Sequence, residues 1–331
     1  MITKRRVPAS LVFLSLILIL TSGAELAQGQ APAPGQAPPS TPLKIDRLKM
    51  QIERLIRDEN GRVGVAVRHL ESGQGLAING DMSFPMASTF KLPVLVELFF
   101  QAKEGRFSLD DEIRVQPSDQ HLGSGLIAKM AAPGITLSLR NMAHLMMLIS
   151  DNSAADILLE KVGAANVNAR LKSLGIAGIS VNRSCQKLIA DFLSLRASAR
   201  TPDEIRAAVI KFGENPEDRA APAAMNALLE KIFKKEIIDE ASCDAIIEIM
   251  LKCETGEKRI RSGLPQDTLL AHKTGTIAGT VNDCGVIFLP DGAGRVVLTV
   301  LTKDFTGDTA DVEEIIARIA RFAYDCFYFT M

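Results

Sequence analysis

Apolar residues at Leu43, Ile45, Leu48, Ile52, Leu55 and Ile56 recur at helical intervals and predict an amphipathic first helix. Gly64 to Val67 and Gly75 to Ile78 then flank Glu71-Ser72-Gly73, which reads as a hairpin. Ser88 to Lys103 returns to helical spacing, and from about residue 112 to 255 the pattern stays helical almost throughout. Within it, Leu137, Leu139, Met142, Leu145, Met146 and Ile149 are too apolar all round for a surface helix, which places that helix centrally. Further helices are expected at 153–163, 221–234 and 241–253. After residue 267 the period changes. Thr268–Thr276, Val281–Leu289 and Arg295–Thr302 predict strands, with Pro290-Asp291-Gly292 as a turn. Val312, Ile315, Ile316, Ile319 and Phe322 mark a C-terminal helix. Strands at both ends and helices between them imply one sheet built from both ends of the chain. Terminal helices cover it and an all-helical block is inserted, an α/β (α+β) architecture. Residues 43–331 read as one domain, 43–111 with 256–331 forming the α/β part and 112–255 the helical part.

The N-terminus departs from this pattern. Lys4, Arg5 and Arg6 precede an apolar run from Leu11 to Leu20, followed by the small residues Ser22-Gly23-Ala24. This is the layout of a cleaved signal peptide over 1–24. A run of that length spans only about half of a ~30 Å hydrocarbon core, so it is read as a signal and not as an anchor. A Pro/Ala-rich linker occupies 25–42. The mature protein is therefore expected to be an exported monomer, periplasmic or secreted, with no membrane span. Lys and Arg number 38 against 39 Asp and Glu, which gives no electrostatic reason to expect nucleic acid. The four histidines and five cysteines match no metal spacing, so neither metal nor cofactor is expected. In an oxidising compartment one or two disulfides among Cys185, Cys243, Cys253, Cys284 and Cys326 are possible.

Four short patterns remain as candidate chemistry. Ser88-Thr89-Phe90-Lys91 at a helix start places a hydroxyl and an amine on one face, about one turn apart. The helix field and burial would lower the Lys91 pKa and let it take the Ser88 proton. The pattern is cheap, because Ser184-Cys185-Gln186-Lys187 also satisfies it. Ser150-Asp151-Asn152 lies between two helices, with Asp151 the natural cap of the second. Lys273-Thr274-Gly275-Thr276 lies on a strand, where glycine lets a ligand approach the backbone closely. Gly123-Ser124-Gly125 reads as a flexible loop with no chemistry of its own.

In this order and on these elements, Ser-x-x-Lys, Ser-Asp-Asn and Lys-Thr-Gly resemble class A β-lactamases and their penicillin-binding relatives, for which this motif set is diagnostic. The segment from Gly123 through Gly163 resembles the family almost throughout. Asn215-Pro216-Glu217-Asp218-Arg219 with Pro222-Ala223-Ala224-Met225 resembles the end of its Ω-loop and the next helix. The resemblance covers about residues 45–328. It implies a β-lactamase/transpeptidase-like fold with an antiparallel sheet, and a serine hydrolase that opens β-lactam amides through an acyl-enzyme on Ser88. It further implies Lys91 as base, Ser150 as proton shuttle to the leaving nitrogen and Asn152 on the substrate amide. Lys273 and Thr274 would hold the carboxylate, with the N–H groups of Ser88 and of Thr276, just after Gly275, as oxyanion hole.

One part of the family pattern is missing. No Arg-x-Glu-x-x-Leu-Asn signature supplies the acid that activates the deacylating water. Glu204 falls near the right place, but Thr201-Pro202-Asp203-Glu204 reads as a helix start with a capping box. Asp191 resembles an acid in divergent members and is equally compatible with an ordinary charge on an amphipathic helix. The alternatives are a D,D-peptidase acting on a peptidoglycan-like substrate, or a penicillin-binding module that acylates and deacylates slowly.

Overall fold

The structure is a computed structural model and describes residues 44–329. The expected signal peptide (1–24) and linker (25–42) lie outside the described residues. The chain runs α1 (Lys44–Ile56), β1 (Arg62–His69), β2 (Gly75–Ile78), β3 (Phe84–Pro85), α2 (Lys91–Lys103), β4 (Glu112–Arg114), β5 (Thr136–Ser138) and α3 (Leu139–Leu148). It continues through α4 (Asn152–Val162), α5 (Ala164–Ser173), β6 (Ile179–Ser180), α6 (Cys185–Arg196), α7 (Pro202–Glu214), β7 (Arg219–Ala220), α8 (Pro222–Phe233) and α9 (Glu240–Leu251). It ends with β8 (Leu270–Ile277), β9 (Thr280–Phe288), β10 (Arg295–Lys303) and α10 (Thr309–Tyr328).

The main sheet has the order β2-β1-β10-β9-β8, every pair antiparallel. The first and last strands among the described residues are thus neighbours, with Val65 opposite Val300. Period-two alternation separates the two faces. Val296, Leu298 and Val300 point into the layer closed by α1 and α10, whereas Val297 and Leu301 join the larger core under α2, α3, α4 and α8. The apolar stripes of the terminal helices fit this: Leu48 and Ile52 of α1 and Ile316 and Ile319 of α10 are buried. No described helix is long and apolar enough to cross a membrane.

Three local features differ from expectation. The helix expected from Ser88 begins as a 3₁₀ turn over Ala87–Phe90 and becomes α-helical only at Lys91. Helix α3 starts at Leu139, where Ser138 caps it, and Leu137 belongs to β5. Cys185, Cys243, Cys253 and Cys284 are free thiols, so the disulfides thought possible do not form among them. They sit on separate elements, Cys284 for example donating to the Lys273 carbonyl in the neighbouring strand.

Candidate active site

Ser88 lies in a turn held from three directions. The Met86 N–H donates to the Asp218 carbonyl at 2.9 Å. The Met86 carbonyl accepts from Thr89 Oγ1 at 2.8 Å and from Asn282 Nδ2 at 3.0 Å, which ties the turn to β9. Between them Ala87 has φ of 46°, a left-handed conformation costly for a residue with a Cβ. Such strain persists where surrounding bonds over-determine it, and here they leave Ser88 half-exposed at the mouth of the buried helix α2.

Strand β8 is an edge of the sheet and passes this turn closely. A Cβ on Gly275 would stand 2.6 Å from the Met86 carbonyl oxygen and 2.8 Å from the Ser88 nitrogen. Only glycine permits that approach.

Lys91 and Lys273 are both fully buried and converge on one hydroxyl. Lys91 Nζ donates to Ser150 Oγ at 3.2 Å, the Ser150 carbonyl at 2.7 Å and Asn152 Oδ1 at 2.9 Å. Lys273 Nζ donates to the same Ser150 Oγ at 3.0 Å and to the Thr274 carbonyl at 2.9 Å. Burial pushes both ammonium groups down from the ordinary lysine range, Lys273 to about 8, with the neighbouring Lys91 charge adding to the effect. Ser150 itself has φ of 58°. That turn is braced by Asp151, whose Oδ1 caps α4 and whose Oδ2 accepts from the N–H groups of Leu126 and Ile127 at 2.6 and 2.9 Å.

The Gly123-Ser124-Gly125 loop is more than a flexible link. Ser124 Oγ donates to the Ser150 carbonyl at 2.6 Å, and a Cβ on either glycine would collide with Asn152 or Asp151. The two glycines let the loop lie on the Ser150-Asp151-Asn152 segment and bring Ser124 into the wall.

Ser88, Ser124, Ser150, Asn152 and Thr274 through Thr276 line one cleft of ≈ 330 Å³, together with the apolar Leu188 and Ile189 of α6. Sequence reasoning missed Arg259, which donates to Thr276 Oγ1 at 2.6 Å and to the Asn282 carbonyl at 2.9 Å. It arrives from the loop before β8, so no local spacing announces it. Among the described residues, none that lines the cleft is acidic.

Two other candidates are placed elsewhere. Asp191 is not in the lining; its carboxylate takes Lys187 Nζ and Arg183 Nη1, each at 2.9 Å, and the hydrogen bond from Lys187 chiefly holds its pKa below the usual range. Glu204 is exposed and forms the capping box of α7 with Thr201, accepting the Thr201 N–H at 3.0 Å. The second Ser-x-x-Lys is likewise structural: Ser184 caps α6 through the Lys187 N–H.

A mixed fold with an antiparallel sheet and a serine–lysine cleft at its edge places the protein among the penicillin-recognising serine hydrolases. A sequence model of the Beta-lactamase enzyme family matches residues 47–327, and the chain belongs to that family. Beta-lactamase VEB-1 of Pseudomonas aeruginosa is 28% identical over 85% of this chain and 91% of its own length. Among solved structures, extended-spectrum β-lactamase TLA-1 is 27% identical with a TM-score of 0.74, covering 86% of this chain and 99% of that one. PBP-A is 28% identical with a TM-score of 0.72 over 88% and 99%; a mutant of it is solved as an acyl-enzyme complex with penicillin G.

Proposed function

We propose that this protein opens β-lactam amides by acyl transfer to Ser88 and releases the acyl group slowly. The observation that carries this reading is Ser150 Oγ held between Lys91 and Lys273 beside Ser88, in a cleft without an acid. Ser88 Oγ attacks the lactam carbonyl and its proton passes to Lys91, whose burial favours the neutral amine that can accept it. Ser150, in contact with Lys91, hands a proton to the leaving nitrogen. The Ser88 and Thr276 N–H groups stabilise the oxyanion beside Gly275, and Asn152 binds the substrate amide. Lys273 and Thr274 hold the carboxylate, with Arg259 adding positive charge behind Thr276. Water must then attack the ester in a cleft whose lining includes Leu188 and Ile189. Without a carboxylate to activate that water, release is slowed by about 10²–10⁴-fold, the usual weight of general-base catalysis. The acid-free wall also favours a second reading, a D,D-peptidase acting on peptidoglycan-like peptides that β-lactams inhibit. In either role the protein works as an exported monomer.

Mixing the protein with a chromogenic cephalosporin and following absorbance and intact mass together tests this. A covalent adduct on Ser88 that outlasts mixing, with slow turnover, is the expected result. Rapid turnover with no detectable adduct overturns the slow release, and absence of any adduct overturns the acyl transfer.

Lys273 makes substrate capture depend on pH. Its ammonium is charged below about pH 8 and neutral above it. KM for a carboxylate-bearing β-lactam should therefore rise as pH increases through about 8, while a methyl ester of the same compound shows no such rise. Steady-state kinetics across the range checks this.

A further inference from the structure

Behind the cleft lies a cluster that acyl transfer does not use. His272 Nδ1 and Asp283 Oδ1, both buried, are 2.9 Å apart across β8 and β9. The same imidazole lies close enough to the half-buried thiol of Cys253 to lower its pKa. Cys253 Sγ is 3.3 Å from Thr255 Oγ1, which is 2.6 Å from Thr274 Oγ1 on the cleft wall. Cys253, Thr255 and Thr274 thus form a row of three groups, each with a single proton to donate.

Such a row has two directions. With the thiol protonated, Cys253 donates to Thr255, Thr255 donates to Thr274, and the Thr274 proton is left to point into the cleft. A thiolate only accepts. Thr255 then turns its proton to sulfur, Thr274 turns its own to Thr255, and the cleft meets lone pairs that repel a carboxylate. We propose that Cys253 is a positioning residue whose proton sets the direction of the Cys253–Thr255–Thr274 row, and so decides whether Thr274 offers a donor to the substrate carboxylate. The inference rests on the reading of Thr274 as a carboxylate ligand.

The surroundings let that proton leave near neutrality. Burial alone would push the thiol up, but the closeness and charge of His272, with Lys273 beside it, bring it down to about 7. Burial likewise disfavours the imidazolium, yet Asp283 and Cys253 raise His272 to about 10. The titratable groups facing Cys253 are therefore His272 and Lys273 of β8 with Asp283 and Cys284 of β9. The Cys284 thiol is raised by its own burial and stays protonated. After α9, Lys252 is engaged by Glu248 at 2.7 Å, and His144 of α3 faces that pair. The row donates toward the cleft below about pH 7 and away from it above.

The test uses the full chain carrying Ser88→Ala, so that benzylpenicillin binds without reacting. Thiolate absorbance, taken as the difference from the same chain with Cys253→Ser, gives the Cys253 midpoint. Because the carboxylate favours the thiol form, saturating benzylpenicillin should raise that midpoint by about one pH unit, the weight of one hydrogen bond to a charged group. The methyl ester should leave it unmoved, and Thr255→Val should abolish the shift. A shift of equal size in Thr255→Val, or none in the parent, overturns the relay. If Thr274→Val binds benzylpenicillin as tightly as the parent, the carboxylate reading of Thr274 falls and the relay with it. If Thr274→Val weakens binding while the shift survives Thr255→Val, the relay alone falls. Should Thr255→Val not fold, Cys253→Ser in the Ser88-bearing enzyme replaces it. There the part of the KM rise centred near pH 7 should vanish, and an unchanged KM profile overturns the proposal.

Discussion

Alanine at Ser88 should abolish covalent labelling by penicillin, whereas methionine at Lys91 should slow it by about 10²–10⁴-fold without abolishing it. The difference follows from what each atom does. Ser88→Ala removes the only oxygen that forms the ester, and the turn around it is fixed by Asp218, Thr89 and Asn282, none of which touches the Ser88 side chain. The variant should therefore fold and still bind ligand. Lys91→Met keeps the nucleophile and loses the base. It also strips a donor from the Ser150 carbonyl and from Asn152 Oδ1 in a dry interior, so its melting temperature should fall as well. Time-resolved intact mass gives the labelling rate, and thermal unfolding separates it from misfolding. A folded Lys91→Met that labels at the wild-type rate would remove Lys91 from the mechanism.

The largest stability effect is expected outside the cleft lining, at Asp218. Its carboxylate accepts the N–H groups of Asn182 and Arg183 at 2.7 and 3.0 Å and Arg183 Nε at 2.5 Å, all at a residue with φ of 55°. Asp218→Ala leaves the buried Arg183 guanidinium short of a partner and puts alanine in a left-handed conformation that aspartate tolerates better. Breaking a buried pair in this way costs about 3–5 kcal/mol, or a fall of about 5–8 °C in Tm for a domain of this size. The Asp218 carbonyl also holds Met86, two residues before Ser88, so labelling should slow in the molecules that remain folded. Calorimetry with labelling on the same sample checks both. A loss under about 1 kcal/mol would mean that Asp191 and Glu217 suffice to hold Arg183.

Much of this was legible in the chain because the signals were local. The stripes of α1 and α10, the β1–β2 hairpin and the capping box at Thr201 each depend on residues within a few positions of one another, and they stand where the spacing put them. That Lys91, Ser150 and Lys273 belong to one site was implied only by a family resemblance. The convergence of both lysines on Ser150 is seen only in three dimensions, since nothing in a one-dimensional pattern brings residue 273 to residue 150. Asp191 shows the limit: an acid on the α6 helix faces the cleft or its own neighbours according to rotation, and Arg183 with Lys187 decided it. Ser124 was passed over because its value lies in a contact with the Ser150 carbonyl. Cys253, His272 and Asp283 come from three segments, and only the register of β8 on β9 sets the last two side by side.

The pairing of β1 with β10 also governs when the protein can come into being. β1 (Arg62–His69) and β10 (Arg295–Lys303) are far apart in sequence, and until β10 pairs the β1–β2 hairpin has nothing to seal its inner edge. Closure over so long a loop is entropically late, which makes assembly slow and all-or-none. Within the sheet β9 and β8 join β1 through β10, and β8 carries Lys273 and Gly275 to the nascent cleft. A chain without β10 therefore lacks a working half-enzyme, because that one strand joins the N-terminal hairpin to the strands that wall the cleft.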